Sequence, residues 1–376
     1  MPTIPAKNTW GITTVVRDVS HFGGGMLNVA RPVHTGLSNR GADAVFISGN
    51  APCSPVDMGY VVGMDGRGFA KLPVSLMRSI AHIHGIWTMF EYRAFKEARR
   101  RNARIAISPH GALEAWAFYH KHAKKRIAWW LYQKRILQAA DLLVVNSVQE
   151  LHRLRELGLK PPIATIANGV DLEGFSSLDE NGQERERIVL FFSRIDPKKG
   201  VPDLIEAWIA LQPKNGYRLH IHGHGEAAYV ATLKQRIAAT GLNDISLLPP
   251  VFGAARWDVF RKASIYVLPS YSENFGITVA EALTAGLPVI TTKATPWADL
   301  SETGLGWIID NDVRQLRDAL GAATSLDASH LSAIRHKAHI YARELYNWEI
   351  IAQRYLETYA WLASPSIPCP DWVDHG

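Results

Sequence analysis

Cysteine is nearly missing from this chain. Cys53 and Cys369, two in 376 residues, are too few for a disulfide framework or a four-thiolate metal site, and this usage fits a reducing compartment. No run approaches the roughly 18 to 20 apolar residues of a spanning helix, and residues 1–11 lack the apolar stretch of a secretion signal. The expectation is a cytoplasmic protein. Repeats, heptads and low-complexity tracts are also missing, which argues against solenoids and coiled coils. No H-E-x-x-H or similar cluster of histidines and acids at metal-ligand spacing occurs either. Charge of one sign is only mildly in excess: 41 Lys and Arg against 35 Asp and Glu leave +6, which fits an anionic partner without naming it.

What is present is enough apolar material, 47% of residues, for a substantial core, in a chain long enough for two domains. β-rich runs at 13–16, 44–47, 105–107, 142–145 and 163–166 alternate with longer helical patterns, and the alternation returns at 188–192, 217–222, 245–248, 265–268 and 288–291. Strands spaced by helices imply βαβ units and parallel sheets, so two such sets imply two Rossmann-like halves. Between them the polar segment 171–187 (DLEGFSSLDENGQERER) has no apolar periodicity and reads as a linker. The expected division is therefore 1–170, the linker, 188–345, and a terminal helix and tail over 346–376.

Residues 269–291 (PSYSENFGITVAEALTAGLPVIT) read as loop, helix, C-cap glycine and strand, following the strand 265–268. Such a helix starts at the carboxyl edge of the sheet, where unpaired amides and the positive dipole end favour an anion such as a diphosphate. Glu273 in the loop and Glu281 in the helix can both face that edge, and carboxylates are natural receptors for sugar or ribose hydroxyls. Taken singly, the pair reads as a loop acid and a helix acid favoured by the dipole. Ser193-Arg194-Ile195-Asp196-Pro197-Lys198-Lys199-Gly200, after the first strand of the second half, brings cations to the same edge, although a short charge cluster is usually only solvated.

Four features together resemble the retaining glycosyltransferases of family 4, with the GT-B fold: the E-x7-E of Glu273 and Glu281; Ser193-Arg194 followed by Lys199-Gly200; Ala167-Asn168-Gly169-Val170-Asp171; and Ser108-Pro109-His110-Gly111. The resemblance runs from Gly23-Gly24-Gly25 to the final helix. It implies two Rossmann-like domains facing across a cleft, with the C-terminal helix packing back toward the N-terminal domain. It also implies site roles. The Glu273 carboxylate and the amides of Asn274, Phe275 and Gly276 would hold the donor sugar, Glu281 the ribose, and Arg194 and Lys199 the diphosphate. His110 would stabilise an oxocarbenium-like transition state, with Glu273 the second catalytic residue, and Gly23, Gly24 and Gly25 would let the backbone approach phosphate or acceptor. No bound metal or other cofactor is implied.

Ser147-Val148-Gln149-Glu150 also matches the family but reads fully as a capping box. Gly223-His224-Gly225 departs from the family's Gly-Asp-Gly. With Ala228 it also fits a dinucleotide fingerprint, which fails because Asp244 precedes the next strand instead of ending it.

Residues 114–135 (EAWAFYHKHAKKRIAWWLYQKR) hold six basic residues, one acid and six aromatics. Projected at 100° per residue, Trp116, Tyr119, Ala123, Ile127 and Trp130 make a core face, Lys121, Lys124, Lys125 and Arg135 the opposite one, and Phe118, Trp129 and Tyr132 flank the lysines. Aromatics beside lysines suit an anionic bilayer surface, so Lys121, Lys124, Lys125 and Trp129 are expected membrane contacts at the inner face of the cytoplasmic membrane. A solvated basic face with covered aromatics is the alternative.

The resulting expectation is transfer of a hexose or N-acetylhexosamine from a UDP- or GDP-sugar, with retention, to a saccharide acceptor, a lipid-linked glycan of cell-surface polysaccharide or lipopolysaccharide synthesis. The alternatives are a nucleotide-sugar epimerase or phosphorylase of the same fold, and a basic nucleic-acid-binding protein. The last would need groove aromatics or a recognition helix, and no nucleic-acid partner is expected.

Overall fold

The computed structural model describes residues 10–20, 24–51, 59–73, 76–77, 79–114, 122–175, 178, 185–364 and 366–376, without the side chains of 24 and 122–124. They form two compact units, Met1–Asn168 with Trp348–Gly376, and Gly169–Asn347.

The first unit runs β1 (Gly11–Val16), α1 (Gly24–Asn39), β2 (Asp43–Ser48), β3 (Tyr60–Val61), β4 (Ile80–His84), α2 (Met89–Arg100) and β5 (Arg104–Ser108). Next come α3 (His122–Ala128, continuing through a π-helical turn Trp129–Gln133 into Lys134–Gln138), β6 (Leu142–Val145), α4 (Val148–Glu156) and β7 (Ile163–Thr165). β4 is missing from the runs read in the sequence. Its Ile-Ala-His-Ile-His looks like a half-exposed strand, yet all five residues are buried and it lies between β1 and β5.

The second unit runs β8 (Ile188–Phe192), α5 (Val201–Ala210), β9 (Arg218–His222), α6 (Ala227–Ala239), β10 (Ile245–Leu248), α7 (Arg256–Lys262) and β11 (Ile265–Leu268). It continues with α8 (Ile277–Thr284), β12 (Val289–Thr292), β13 (Gly306–Ile309), α9 (Val313–Thr324) and α10 (Ala328–Leu345). Its six strands are parallel in the order β10-β9-β8-β11-β12-β13. Residues expected in a linker already belong to this unit: Arg256 donates to the Asp171 carbonyl at 2.5 Å, and the Trp257 indole to that of Glu173 at 3.0 Å.

The chain then rejoins the first unit through α11 (Trp348–Ala363), which buries Ile351, Ala352, Tyr355, Leu356 and Tyr359, and β14 (Val373–Asp374), antiparallel to β7. Gly36 lets α1 and α11 approach closely, since a Cβ there would stand 2.5 Å from that of Ala352. The first sheet is thus β14-β7-β6-β5-β4-β1-β2-β3.

Of the expected core face of α3, the described members Ile127 and Trp130 face solvent instead, and Arg135 is exposed as expected. Ile127, Trp130 and Leu131 are 60%, 71% and 66% exposed, while Trp129 is 6% exposed with its ring 6.3 Å from that of Trp87. Tyr132 donates to the Trp87 carbonyl at 2.6 Å. The buried stripe runs through Trp129, Gln133, Ile136 and Leu137. Gln133 disguises it, because its amide oxygen accepts from the Trp87 backbone N–H at 3.0 Å, a buried polar role that apolar counting cannot see. Residues 115–121, which include Phe118 and Lys121, lie outside the described residues, as does the side chain of Lys124; Lys125 is partly exposed, 5.8 Å over the Trp87 ring.

Candidate functional site

In the second unit the chain leaves β8 for β9 on one side and β11 for β12 on the other, so the loops after β8 and β11 diverge and open a crevice at the carboxyl edge. After β8, Ile195 bridges Gly225. A Cβ on Gly223 would lie 2.0 Å from the Ser193 carbonyl oxygen, and one on Gly225 2.1 Å from that of Ile195. The glycines of Gly223-His224-Gly225 therefore serve backbone-to-backbone packing, and Asp244 is held by Lys214 at 2.8 Å. The Asp196 carboxylate caps the following turn by accepting from the Lys198 N–H at 3.1 Å. Gly200 turns the chain at φ 69°, against the Pro269 carbonyl oxygen, which would be 2.1 Å from any Cβ.

That turn delivers Lys199 to Glu273. Both side chains are 8% exposed, and they form an ion pair. Ser270 Oγ donates to the same carboxylate oxygen at 2.8 Å, and the Glu273 N–H donates to the Ala294 carbonyl at 3.2 Å. Burial works against the Glu273 carboxylate, but the charge and hydrogen bond of Lys199, with Lys198 and Ser270, hold its pKa below the ordinary value. Lys198 is half-buried, and burial pushes its pKa down. Arg194 is exposed and enters no described ion pair.

Gly276, at φ 76°, starts α8 without a side-chain cap. The Phe275 ring is buried against Trp297 and Tyr346, with centroids at 5.2 and 5.6 Å, and the Trp297 indole donates to its carbonyl at 2.6 Å. Asn274 lies between Glu273 and this aromatic cluster, partly buried. Glu281 has a different partner from Glu273: Arg256 donates to its Oε1 at 2.9 Å. Burial outweighs this pairing and pushes the Glu281 carboxyl up to about 7. The two carboxylates of the E-x7-E are thus claimed by separate cations.

In the first unit the order reverses between β1 and β4, so His84 ends its strand at the corresponding opening. Positive φ concentrates there: Gly85 98°, Trp87 85°, His110 52° and Gly111 72°. For His110 and Trp87 this conformation costs on the order of 1 to 3 kcal/mol each and is kept only by its surroundings. His110 Nε2 lies 2.9 Å from His84 Nδ1, with the rings stacked at 5.2 Å. His82, 4.0 Å from the His84 ring, meets Ser108 Oγ at 2.8 Å and the Tyr359 hydroxyl of α11 at 2.5 Å. Burial pushes the pKa values of all three histidines down, to about 4 for His110 and about 3 for His82.

Glu150 completes the cluster. Ser147 caps α4 by accepting from the Glu150 N–H at 3.1 Å, but the expected reciprocal half of the capping box does not form. The fully buried Glu150 carboxylate instead accepts from Gly111 N–H at 2.6 Å and Asn146 N–H at 3.1 Å, clamping the loops after β5 and β6. Burial pushes it up to about 7. His82, His84, Asn146, Glu150 and Tyr359 are residues that sequence reasoning missed as members of a site. Gly23 lies outside the described residues. Gly24 opens α1, and no described atom lies within 4 Å of where a Gly25 Cβ would stand, so no internal packing accounts for glycine there. Among the described residues no group of three His, Cys, Asp or Glu could hold a metal ion, and no helix is long and apolar enough to cross a membrane.

Known proteins resemble the chain over both units. The family described as Glycosyl transferases group 1 matches residues 177–343, and that described as Glycosyltransferase Family 4 matches residues 23–173. The GDP-mannose:cellobiosyl-diphosphopolyprenol alpha-mannosyltransferase of Xanthomonas oryzae pv. oryzae (strain PXO99A) is 26% identical over 376 residues, 93% of this chain and 96% of its own. Sucrose-phosphate synthase from Thermosynechococcus elongatus has a TM-score of 0.74 at 20% identity, covering 95% of this chain and all of that one. Anabaena Alr3699/HepE in complex with UDP-glucose has 0.72 at 19%, covering 93% and 99%. At these identities the likeness to the two structures is one of fold.

Proposed function

Since the chain belongs to the family 4 glycosyltransferases of GT-B fold, we propose that it moves a hexose or N-acetylhexosamine from a UDP- or GDP-sugar to a lipid-linked saccharide, with retention of configuration and without a bound metal. The observation that carries this reading is the cation set at the carboxyl edges of β8 and β11: the buried Lys199–Glu273 pair, with exposed Arg194 on the same loop. Glu273 takes one of the three donors of the Lys199 ammonium, leaving others for a phosphate. Arg194, in no ion pair among the described residues, meets the charge that grows on the leaving diphosphate, the work a metal ion does elsewhere. The backbone amides at 274–276, ahead of α8, face the same anion, with Glu273 beside them for sugar hydroxyls. Glu281 serves the ribose, held in place by Arg256. His110 is the catalytic group of the first unit.

A GDP-sugar and a lipid-linked acceptor are supported by the mannosyltransferase relative matched along nearly its whole length. The face of α3 with Ile127, Trp130 and Leu131, next to Lys125, Arg126 and Arg135, is the membrane-contacting surface in this reading, in place of Trp129. The test is thermal unfolding of the full chain with a panel of GDP- and UDP-sugars, with and without EDTA. A donor raises the midpoint in proportion to RT ln(1 + [L]/Kd), and the shift survives EDTA. No shift with any nucleotide sugar contradicts the reading.

A further inference from the structure

Two helices of the first unit start on the same pattern and use it differently. At α2 the capping box closes locally, with Thr88 accepting from the first turn and the Glu91 carboxylate accepting from the Thr88 N–H at 3.0 Å. At α4 the equivalent acid, Glu150, leaves the Ser147 N–H alone. Its two oxygens each take one backbone N–H from a different loop, Oε1 from Gly111 at 2.6 Å and Oε2 from Asn146 at 3.1 Å. Glu150 is fully buried and enters no described ion pair, unlike Glu273 and Glu281. Burial and the like charge of Glu114 both work against its ionised form.

Three residues on, the same helix face holds the same loop again: Arg153 Nε donates to the Leu113 carbonyl at 3.1 Å. Opposite α4, the Trp87 indole donates to the Ala112 carbonyl at 3.3 Å. The backbone is thus held at 111, 112 and 113, directly after His110, whose φ of 52° is a left-handed conformation that a histidine keeps only under constraint. We propose that Glu150 is a positioning residue: its carboxylate, seconded by Arg153, fixes the Gly111 N–H and so holds His110 in the left-handed conformation that sets where its ring stands. The inference rests on the reading of His110 as the catalytic group of the first unit, and it concerns that unit alone. Stability by itself does not account for a buried carboxylate without a cation, since an apolar side chain would avoid its desolvation. Holding a non-glycine residue at positive φ does account for it, because two charge-assisted bonds to backbone N–H groups are of the size needed to oppose that strain.

The clamp can be read without any assay of transfer. The full chain is labelled with 13C at histidine carbonyls and 15N at glycine, and the His-Gly peak missing from a His110→Asn sample is that of Gly111. Its proton should lie far downfield, as for an amide bound to a carboxylate, and move upfield in Glu150→Gln, which removes the charge and sets an NH2 against one of the two N–H groups. Glu150→Gln should also lower kcat about tenfold, the factor for one lost hydrogen bond, with KM within about threefold, and Arg153→Ala should lower kcat about threefold. The substrate is GDP-mannose or UDP-glucose, whichever the unaltered protein turns over. A purely structural clamp would lower the unfolding midpoint of Glu150→Gln and leave kcat per folded molecule unchanged. That result overturns the proposal, as does a Gly111 proton that Glu150→Gln does not move. If Glu150→Gln does not fold, the Gly111 proton of the unaltered protein and the kcat of Arg153→Ala decide. The expected Gly111 shifts in a protein that turns over no nucleotide sugar would leave the clamp standing and refute the transferase reading instead.

Discussion

The carboxyl edge of the second unit buries charge in pairs, Lys199 with Glu273 and Arg256 with Glu281, whereas that of the first unit buries imidazoles and an amide joined by neutral hydrogen bonds. Both are reached by the same topology, parallel neighbouring strands whose order reverses at the site. The difference shows that topology places the loops while the residues at strand ends set the chemistry. Fixed cations suit a diphosphate, and uncharged acceptors suit hydroxyls. It also means the two edges should fail differently when perturbed.

The largest effect should come from breaking a buried pair. Lys199→Ala leaves the Glu273 carboxylate buried and uncompensated, at a cost of about 3 to 5 kcal/mol in urea unfolding. Lys199→Met combined with Glu273→Gln should recover most of that stability and still lack transfer. Equal stability of Lys199→Ala and the unaltered protein would remove charge pairing as the basis of the second edge. Arg194 isolates chemistry from folding because it is exposed and unpaired among the described residues. Arg194→Ala should unfold normally yet lose about 2 to 4 kcal/mol of transition-state stabilisation in kcat/KM. Near-normal kcat/KM would exclude it from the diphosphate site.

Acid should separate the units next. His82, His84 and His110 have depressed pKa values when folded, so the stability tied to their neutral forms is present above about pH 6.5 and drains as pH falls toward about 4 and 3. Glu273 is also depressed, but its contribution is lost only below its unfolded value of about 4.5. Glu150 and Glu281, both raised to about 7, act the other way in both units, favouring the fold below about 4.5 and less so as pH rises through 7. Hydrogen exchange by mass spectrometry at about pH 5 should therefore show β4 and β5 opening before β8 and β11. The reverse order would mean the histidines are not held neutral. The smallest effect concerns α3. Trp130→Ser with Leu131→Ser should weaken binding to phosphatidylglycerol vesicles at any salt, and Lys125→Gln should remove about 1 kcal/mol that salt screens over roughly 8 to 10 Å. Co-sedimentation unchanged in both would leave that face to solvent.

The same contrast governs what could be read in advance. Strands made of Ile, Val, Leu and aromatic residues, such as β6, β8 and β11, announce themselves, and the loop residues Arg194, Lys199 and Glu273 stand out by their charges at the ends of such strands. β4 escaped notice because two of its five residues are histidines, and polar residues in a strand read as exposed until their partners Ser108, Tyr359 and His110 are known. Tyr359 lies 277 positions from His82, a separation that no local pattern encodes. Glu150 satisfied a local rule, the capping box, that tertiary structure then overrode in favour of Gly111. α3 failed for a related reason, since its buried stripe passes through Gln133.

The central claim, that a nucleotide sugar is cleaved at the charged edge of the second unit and its sugar passed on with retention, is tested most directly by one product analysis. The full chain is incubated with GDP-mannose, and in parallel with UDP-glucose, in the presence of a polyprenyl-diphosphate-linked oligosaccharide, and the new linkage is assigned by NMR. The account predicts a product with the anomeric configuration of the donor, formed by the unaltered protein and lost in Arg194→Ala. An inverted linkage, or full transfer by Arg194→Ala, would contradict it.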